Sequence, residues 1–218
     1  MKSITELLRV KSPVPKPQAL YVDGRTVWLS SRQTGRLYAV DRATWQITWE
    51  TAAPGTAWGV TKVGDSLRVV CGTDASDVDD RTIRRCVPGQ GFDAAPVWAC
   101  PDGMGSHVSF DGHAVILSQW YPKKLIAFDG HGIPTRVWPA PHGICGHCFA
   151  LGAFWLVSTD AEDTTDYWLT RLDPATGAAE NVARIGFAAR ALAFDGENFW
   201  TNHREENEIV SFARPVSG

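Results

Sequence analysis

The chain repeats itself. ALYVDGRTVWLSSRQTGRLYAVD (residues 19–41) recurs as HVSFDGHAVILSQWYPKKLIAFD (107–129) and as ALAFDGENFWTNHREENEIVSFA (191–213), with looser copies starting at Gly59 and His147. The marker glycines Gly24, Gly64, Gly112, Gly152 and Gly196 stand 40, 48, 40 and 44 residues apart. A period of that length, built from short alternating apolar runs, is the signature of a four-stranded propeller blade. Five copies predict an all-β chain folded as a five-bladed β-propeller. A sandwich of regular hairpins gives no reason for one unit to recur five times.

Each unit parses alike. Strand A runs into an Asp-Gly or equivalent turn, strand B carries an aromatic or aliphatic pair (Val27-Trp28, Phe154-Trp155, Phe199-Trp200), and strand C ends at Asp41, Asp129 or Asp173. Strand D leads to a Pro-rich exit. The blades fall at about 17–54, 56–101, 105–141, 145–186 and 188–213. The last stops after strand C, which leaves an unpaired edge. The strand-like residues 4–10 are the piece left over, and as the outermost strand of the last blade they would close the ring.

Composition narrows the function. A formal net charge of −3 argues against non-specific binding to nucleic acid or anionic lipid. No apolar run is long enough to span a bilayer as a helix, and residues 1–10 lack the apolar core of a signal peptide, so a cytoplasmic monomer acting on a small molecule is expected. The five cysteines are an odd number and read as free thiols, with Cys86 and Cys100 as inert core residues.

The pattern DG-x-x-(V/F)-W-L-S…L-x-x-(V/F)-D, clearest in VDGRTVWLSSRQTGRLYAVD, resembles the repeats of NHL, gluconolactonase-type and virginiamycin B lyase-type propellers. Trp58-Gly59-Val60-Thr61 and Leu117-Ser118-Gln119-Trp120, in a five-bladed frame, are also similar to glutaminyl cyclases. The glutamates that the cyclase family places where strand A begins are replaced here by His107 and His147. The resemblance implies the propeller fold, shared by enzymes and binding proteins alike.

A propeller sorts its loops: D-to-A and B-to-C loops meet at one mouth of the channel, A-to-B and C-to-D loops at the other. Counting back five from each marker glycine gives Ala19, Gly59, His107, His147 and Ala191 as expected starts of strand A, with Gln18, Trp58, Ser106, Gly146 and Arg190 beside them. The ends of strand B on that face are Arg32, Asp74, Gln119-Trp120, Asp160 and His203-Arg204. Longer B-to-C loops, 73–80 and 159–166, carry several acids each and would wall the mouth, with carboxylates able to hold Ca²⁺ or Mg²⁺.

Histidine is the side chain that exchanges protons near neutrality. His107, His147 and His203 are expected to converge as acid–base groups, with Asp160 hydrogen-bonded to His147 and Arg190 facing developing negative charge. Trp58 and Trp120 supply stacking walls, and Arg32, Arg204 and Asp74 polar contacts for substrate. Asp160 and His142 are candidate ligands for a divalent ion (Mg²⁺, Ca²⁺ or Zn²⁺). The segment His142-Gly143-Ile144-Cys145-Gly146-His147-Cys148 holds four zinc-type donors but lacks a second cysteine pair. The reading is a small-molecule enzyme, a lyase or cyclising enzyme in the first place. A lactonase-type hydrolase and a non-catalytic ligand- or protein-binding scaffold are the alternatives.

Overall fold

In a computed structural model, which describes residues 1–75, 78–161 and 163–215, five antiparallel sheets stand around a central axis. After β1 (Glu6–Lys11), blade one is β2 (Pro17–Asp23), β3 (Thr26–Ser31), β4 (Arg36–Asp41) and β5 (Ile47–Ala52). Blade two is β6 (Thr56–Val63), β7 (Ser66–Gly72), β8 (Thr82–Val87) and the short pieces β9 (Gly91–Phe92) and β10 (Trp98–Ala99), both paired to β8. Blade three is β11 (His107–Phe110), β12 (Val115–Gln119), β13 (Lys124–Phe128) and β14 (Pro134–Pro139). Blade four is β15 (Gly143–Ala150), β16 (Ala153–Thr159), β17 (Tyr167–Leu172) and β18 (Ala179–Ile185). Blade five is β19 (Ala193–Phe194), β20 (Phe199–His203) and β21 (Glu208–Phe212). Among the described residues the one helical element is a single turn at Pro101–Gly103, so none is long and apolar enough to cross a membrane.

The strand period of two does the sorting. Val69 packs toward blade one and its neighbour Val70 toward blade three; Leu117 faces blade two and Ile116 faces blade four. Successive side chains on a strand point to opposite faces. A blade with apolar residues on both faces must therefore be covered on both sides. Only a closed ring supplies that for all five, and five buried clusters fill the five interfaces. The strand-B tryptophans are part of this packing, with Trp28, Trp155 and Trp200 all buried.

The ring closes through β1, which is the fourth strand of blade five in the order β1-β21-β20-β19. Arg9 is opposite Val210 and Lys11 opposite Glu208. The strand begins two residues later than the pattern suggests, because Ser3 and Ile4 pair instead with Arg184 of β18. The turns follow local chemistry: Gly24, Gly64, Gly112, Gly152 and Gly196 all have φ between 56° and 98°, where a Cβ is disfavoured.

Candidate functional site

The five residues expected to begin strand A do not rim the mouth. Ala19, Gly59, His107, His147 and Ala191 are all buried, and they form a layer inside the channel. For Gly59 and His147 the reason lies in where the innermost strands start. β6 and β15 begin three and four residues before Gly59 and His147, and β15 carries a bulge between Ile144 and Gly146. The strands also converge tightly there: a Cβ on Gly59 would lie 2.5 Å from His107 Cα, and one on Gly146 would lie 2.5 Å from Ala191 Cα. Cavities remain on both sides of this constriction.

The cavity at the D-to-A mouth measures about 260 Å³ and gathers Gln18, Trp58, Ser106, Cys145 and Arg190 from the inner strands and loops. Arg32, Asp74, Trp120 and Arg204 reach it from the ends of strand B, and Asp79 and Arg81 from the loop before β8. Four guanidinium groups thus share one wall system. Arg204 is buried, donating from Nη1 to Gln18 Oε1 at 2.8 Å and from Nε to Glu205 Oε1 at 2.9 Å. Burial, and then the positive charge of Arg190, hold it below the usual arginine range. Burial likewise lowers Arg81, whose guanidinium stacks on Trp58 at 4.0 Å and donates to the Gly105 carbonyl. Arg190, also buried, directs Nη1 at Cys145 Sγ, 3.9 Å away. Arg32 grips Asp74 at 2.7–3.0 Å and lies 5.4 Å from the Trp58 ring. Trp120 rests on Gly143, where a Cβ would come within 2.6 Å of the indole.

The frame around the mouth is hydrogen-bonded from buried strand-B ends. Asn202 donates to the carbonyls of Pro17 and Gln18, tying blade five to blade one, and accepts from Arg190 N–H. Gln119 donates to the carbonyls of Pro101 and Met104, which holds the loop entering blade three. Charged-group geometry is fixed where such supports are buried.

Six residues singled out from sequence meet here: Trp58, Trp120, Arg32, Asp74, Arg190 and Arg204. The histidines do not join them. His107 and His147 lie against each other, ring centroids 5.4 Å apart, and line a separate cavity beyond the constriction. His203 points away from the axis, tilted against Phe187 with ring centroids 5.2 Å apart, and its Nδ1 is 4.0 Å from Glu208. Asp160 reaches His142 Nδ1 and Lys123 Nζ, each at 2.8 Å, and not His147, whose Nε2 is 3.2 Å from the Ile116 carbonyl. His142 is engaged at both nitrogens, with Asn181 Nδ2 3.1 Å from Nε2, and stacks on Trp168. The donors of the His142–Cys148 segment thus disperse: His142 bonds Asp160 and Asn181, Cys145 lines the mouth, and His147 and Cys148 line the lower cavity. Of the acidic loops, Asp74 and Asp79 reach the mouth, while Asp80 caps Thr73 and Asp166 pairs with Arg184. Ser76, Asp77 and Glu162 lie outside the described residues. Asp79 belongs to the loop 73–80 expected to wall the mouth, whereas Arg81 escaped sequence reasoning because it follows a loop whose length departs from the repeat.

No protein-family model and no curated protein matches the chain. Solved structures do. A glutaminyl cyclase from Myxococcus xanthus superposes with a TM-score of 0.67 at 12% identity, over 99% of this chain and 100% of that one. A calcium-binding regucalcin from Agrobacterium tumefaciens gives 0.65 at 12%, over 100% and 97%. The WD40 propeller domain of Doa1 gives 0.57 at 11%, over 89% and 62%. The likeness is one of fold. Enzymes and WD40 propellers stand among the neighbours, so the architecture leaves the function to the site.

Proposed function

We propose that the chain is a small-molecule-binding propeller whose working surface is the D-to-A mouth and whose ligand is an anion with a flat or apolar body. The carrying observation is the burial of two guanidinium groups, Arg190 and Arg204, on one cavity, close enough that the first depresses the second. An anionic group seated beside them would accept charge-assisted hydrogen bonds. Trp58 and Trp120 offer rings for the remainder of the ligand. The lyase and cyclisation readings need His107, His147 and His203 to converge on the mouth, and of these the first two stand beyond the constriction while His203 lies on Phe187. A catalytic use of the mouth would fall instead to Asp79 and Cys145 on its wall.

Calorimetric titration with phenyl phosphate, indole-3-acetate and their uncharged analogues tests this. Binding of the anions should weaken with salt and fall at least about 10-fold in Arg204→Met, the scale of one lost charged hydrogen bond. Equal binding of the uncharged analogues, or anion affinity indifferent to Arg204, would sink the reading.

A further inference from the structure

Beyond the constriction the channel widens again into a cavity of about 130 Å³, lined by the inner strands of all five blades. β2, β11, β15 and β19 contribute the half-buried rings of Tyr21, Phe110, Phe149 and Phe194, and β6 contributes Lys62. Each ring packs against a different inter-blade cluster. The core therefore sets their positions, and the aromatic walls stand ready before anything enters.

Two polar side chains share this lining. His147 and Ser109 are 0% and 4% exposed, yet His147 Nδ1 and Ser109 Oγ have no hydrogen-bond partner among the described residues. Buried polar atoms are rarely left so, and two on one cavity call for an occupant. The bonding of His147 says which kind. Its Nε2 lies 3.2 Å from the Ile116 carbonyl, which can only accept, so the proton sits on Nε2 and Nδ1 is a bare acceptor. The occupant must bring a donor. One hydroxyl meets both side chains, donating to His147 Nδ1 and accepting from Ser109 Oγ.

Size and charge narrow the choice. An apolar cavity of about 150 Å³ takes up benzene, so this one suits a single ring. The ammonium of Lys62 is already held by Asp23 at 2.5 Å and offers no bare charge to an ion. We propose that the lower cavity binds an uncharged single-ring aromatic of the phenol class, its ring among the four aromatic side chains and its hydroxyl on His147 and Ser109. The constriction separates this site from the anion proposed at the mouth, and the two are independent.

Calorimetric titration of the purified protein with phenol at pH 7, where its hydroxyl is protonated, tests this. One equivalent should bind. Benzene, which leaves both polar atoms unmet, should bind at least about 3-fold more weakly, and Ser109→Ala should weaken phenol by a similar factor, the scale of a neutral hydrogen bond. Arg204→Met and saturating phenyl phosphate should both leave phenol affinity unchanged, which keeps this site distinct from the one at the mouth. Benzene binding as tightly as phenol, or phenol displaced by phenyl phosphate, would overturn the proposal. Should Ser109→Ala unfold, wild-type crystals soaked in 4-bromophenol decide. A bromine anomalous peak among the four rings supports the site, and ordered water alone in the lower cavity removes it.

Discussion

Gly59 sits against His107 so closely that a methyl group on its α-carbon would meet His107 Cα at 2.5 Å and Val108 N at 2.8 Å. Both contacts are backbone, which cannot swing aside as a side chain would. This approach of β6 to β11 helps pinch the channel and separates the guanidinium mouth from the imidazole pair. Gly59→Ala should therefore cost about 1–3 kcal/mol, the range for overpacking a filled interior, although its backbone conformation suits alanine. Urea unfolding reads this directly. Wild-type stability in that variant would mean that the strands can part and that the constriction is soft.

Ring closure makes the second prediction. β1 covers the edge of β21 through a ladder from Glu6↔Phe212 to Lys11↔Glu208, and Arg9 and Lys11 both pair with Glu208. Those exposed ion pairs add little each, so the ladder and the covered edge carry the effect. Removing residues 1–11 should lower the melting temperature and promote association through the bared edge of β21. A monomer melting as before would show that the ring does not depend on β1.

How much of this was written in the sequence divides along local and non-local lines. The marker glycines and the apolar pair after each are local, so the five blades could be counted from them. Arg32, Asp74, Trp120 and Arg204 lie a short count beyond those turns, and they reach the mouth. Height along the channel was not legible. It depends on how far each inner strand extends upstream, and a bulge such as that at Cys145 leaves no mark that counting detects. Parity undid His203: a one-residue step reverses a strand's face, so Arg204 turns into the cavity while His203 lies on Phe187.

Acid should unfold the ring through its turn aspartates. Asp41, Asp129 and Asp173 are held below the ordinary value of 3.8, chiefly by the backbone N–H groups of Thr44, Ile133 and Thr176. For Asp195 burial alone would raise the value, but N–H donors from Asn198, Glu197 and the Trp200 indole, together with Arg42, outweigh it. A depressed folded-state value means that the stabilisation is complete above 3.8 and is lost as pH falls through the lower folded value. Stability should thus be flat near neutrality and decline steeply below about pH 4. In Asp195→Asn the decline should be shallower and the neutral-pH stability lower by about 1.5–3 kcal/mol, as for a lost charged hydrogen bond. Identical pH profiles for that variant and wild type would rule Asp195 out as a contributor.

Gln18 offers the sharpest test of the mouth. Its Oε1 accepts from Arg204 Nη1 at 2.8 Å, and both side chains are buried. Gln18→Glu changes almost no volume but places a carboxylate against the guanidinium. A second carboxylate on Arg204, beside that of Glu205, would reduce the positive field of the mouth and set a like charge beside the ligand. Phenyl phosphate binding should fall at least about 10-fold while thermal stability holds or rises, because a buried arginine gains a charged acceptor. Asp160→Asn is the matching control. Asp160 serves His142 and Lys123 outside the cavity, so its loss should leave anion affinity unchanged. A Gln18→Glu variant that binds phenyl phosphate like wild type would place the ligand away from Arg204. Loss of binding on Asp160→Asn would move the site toward blade four.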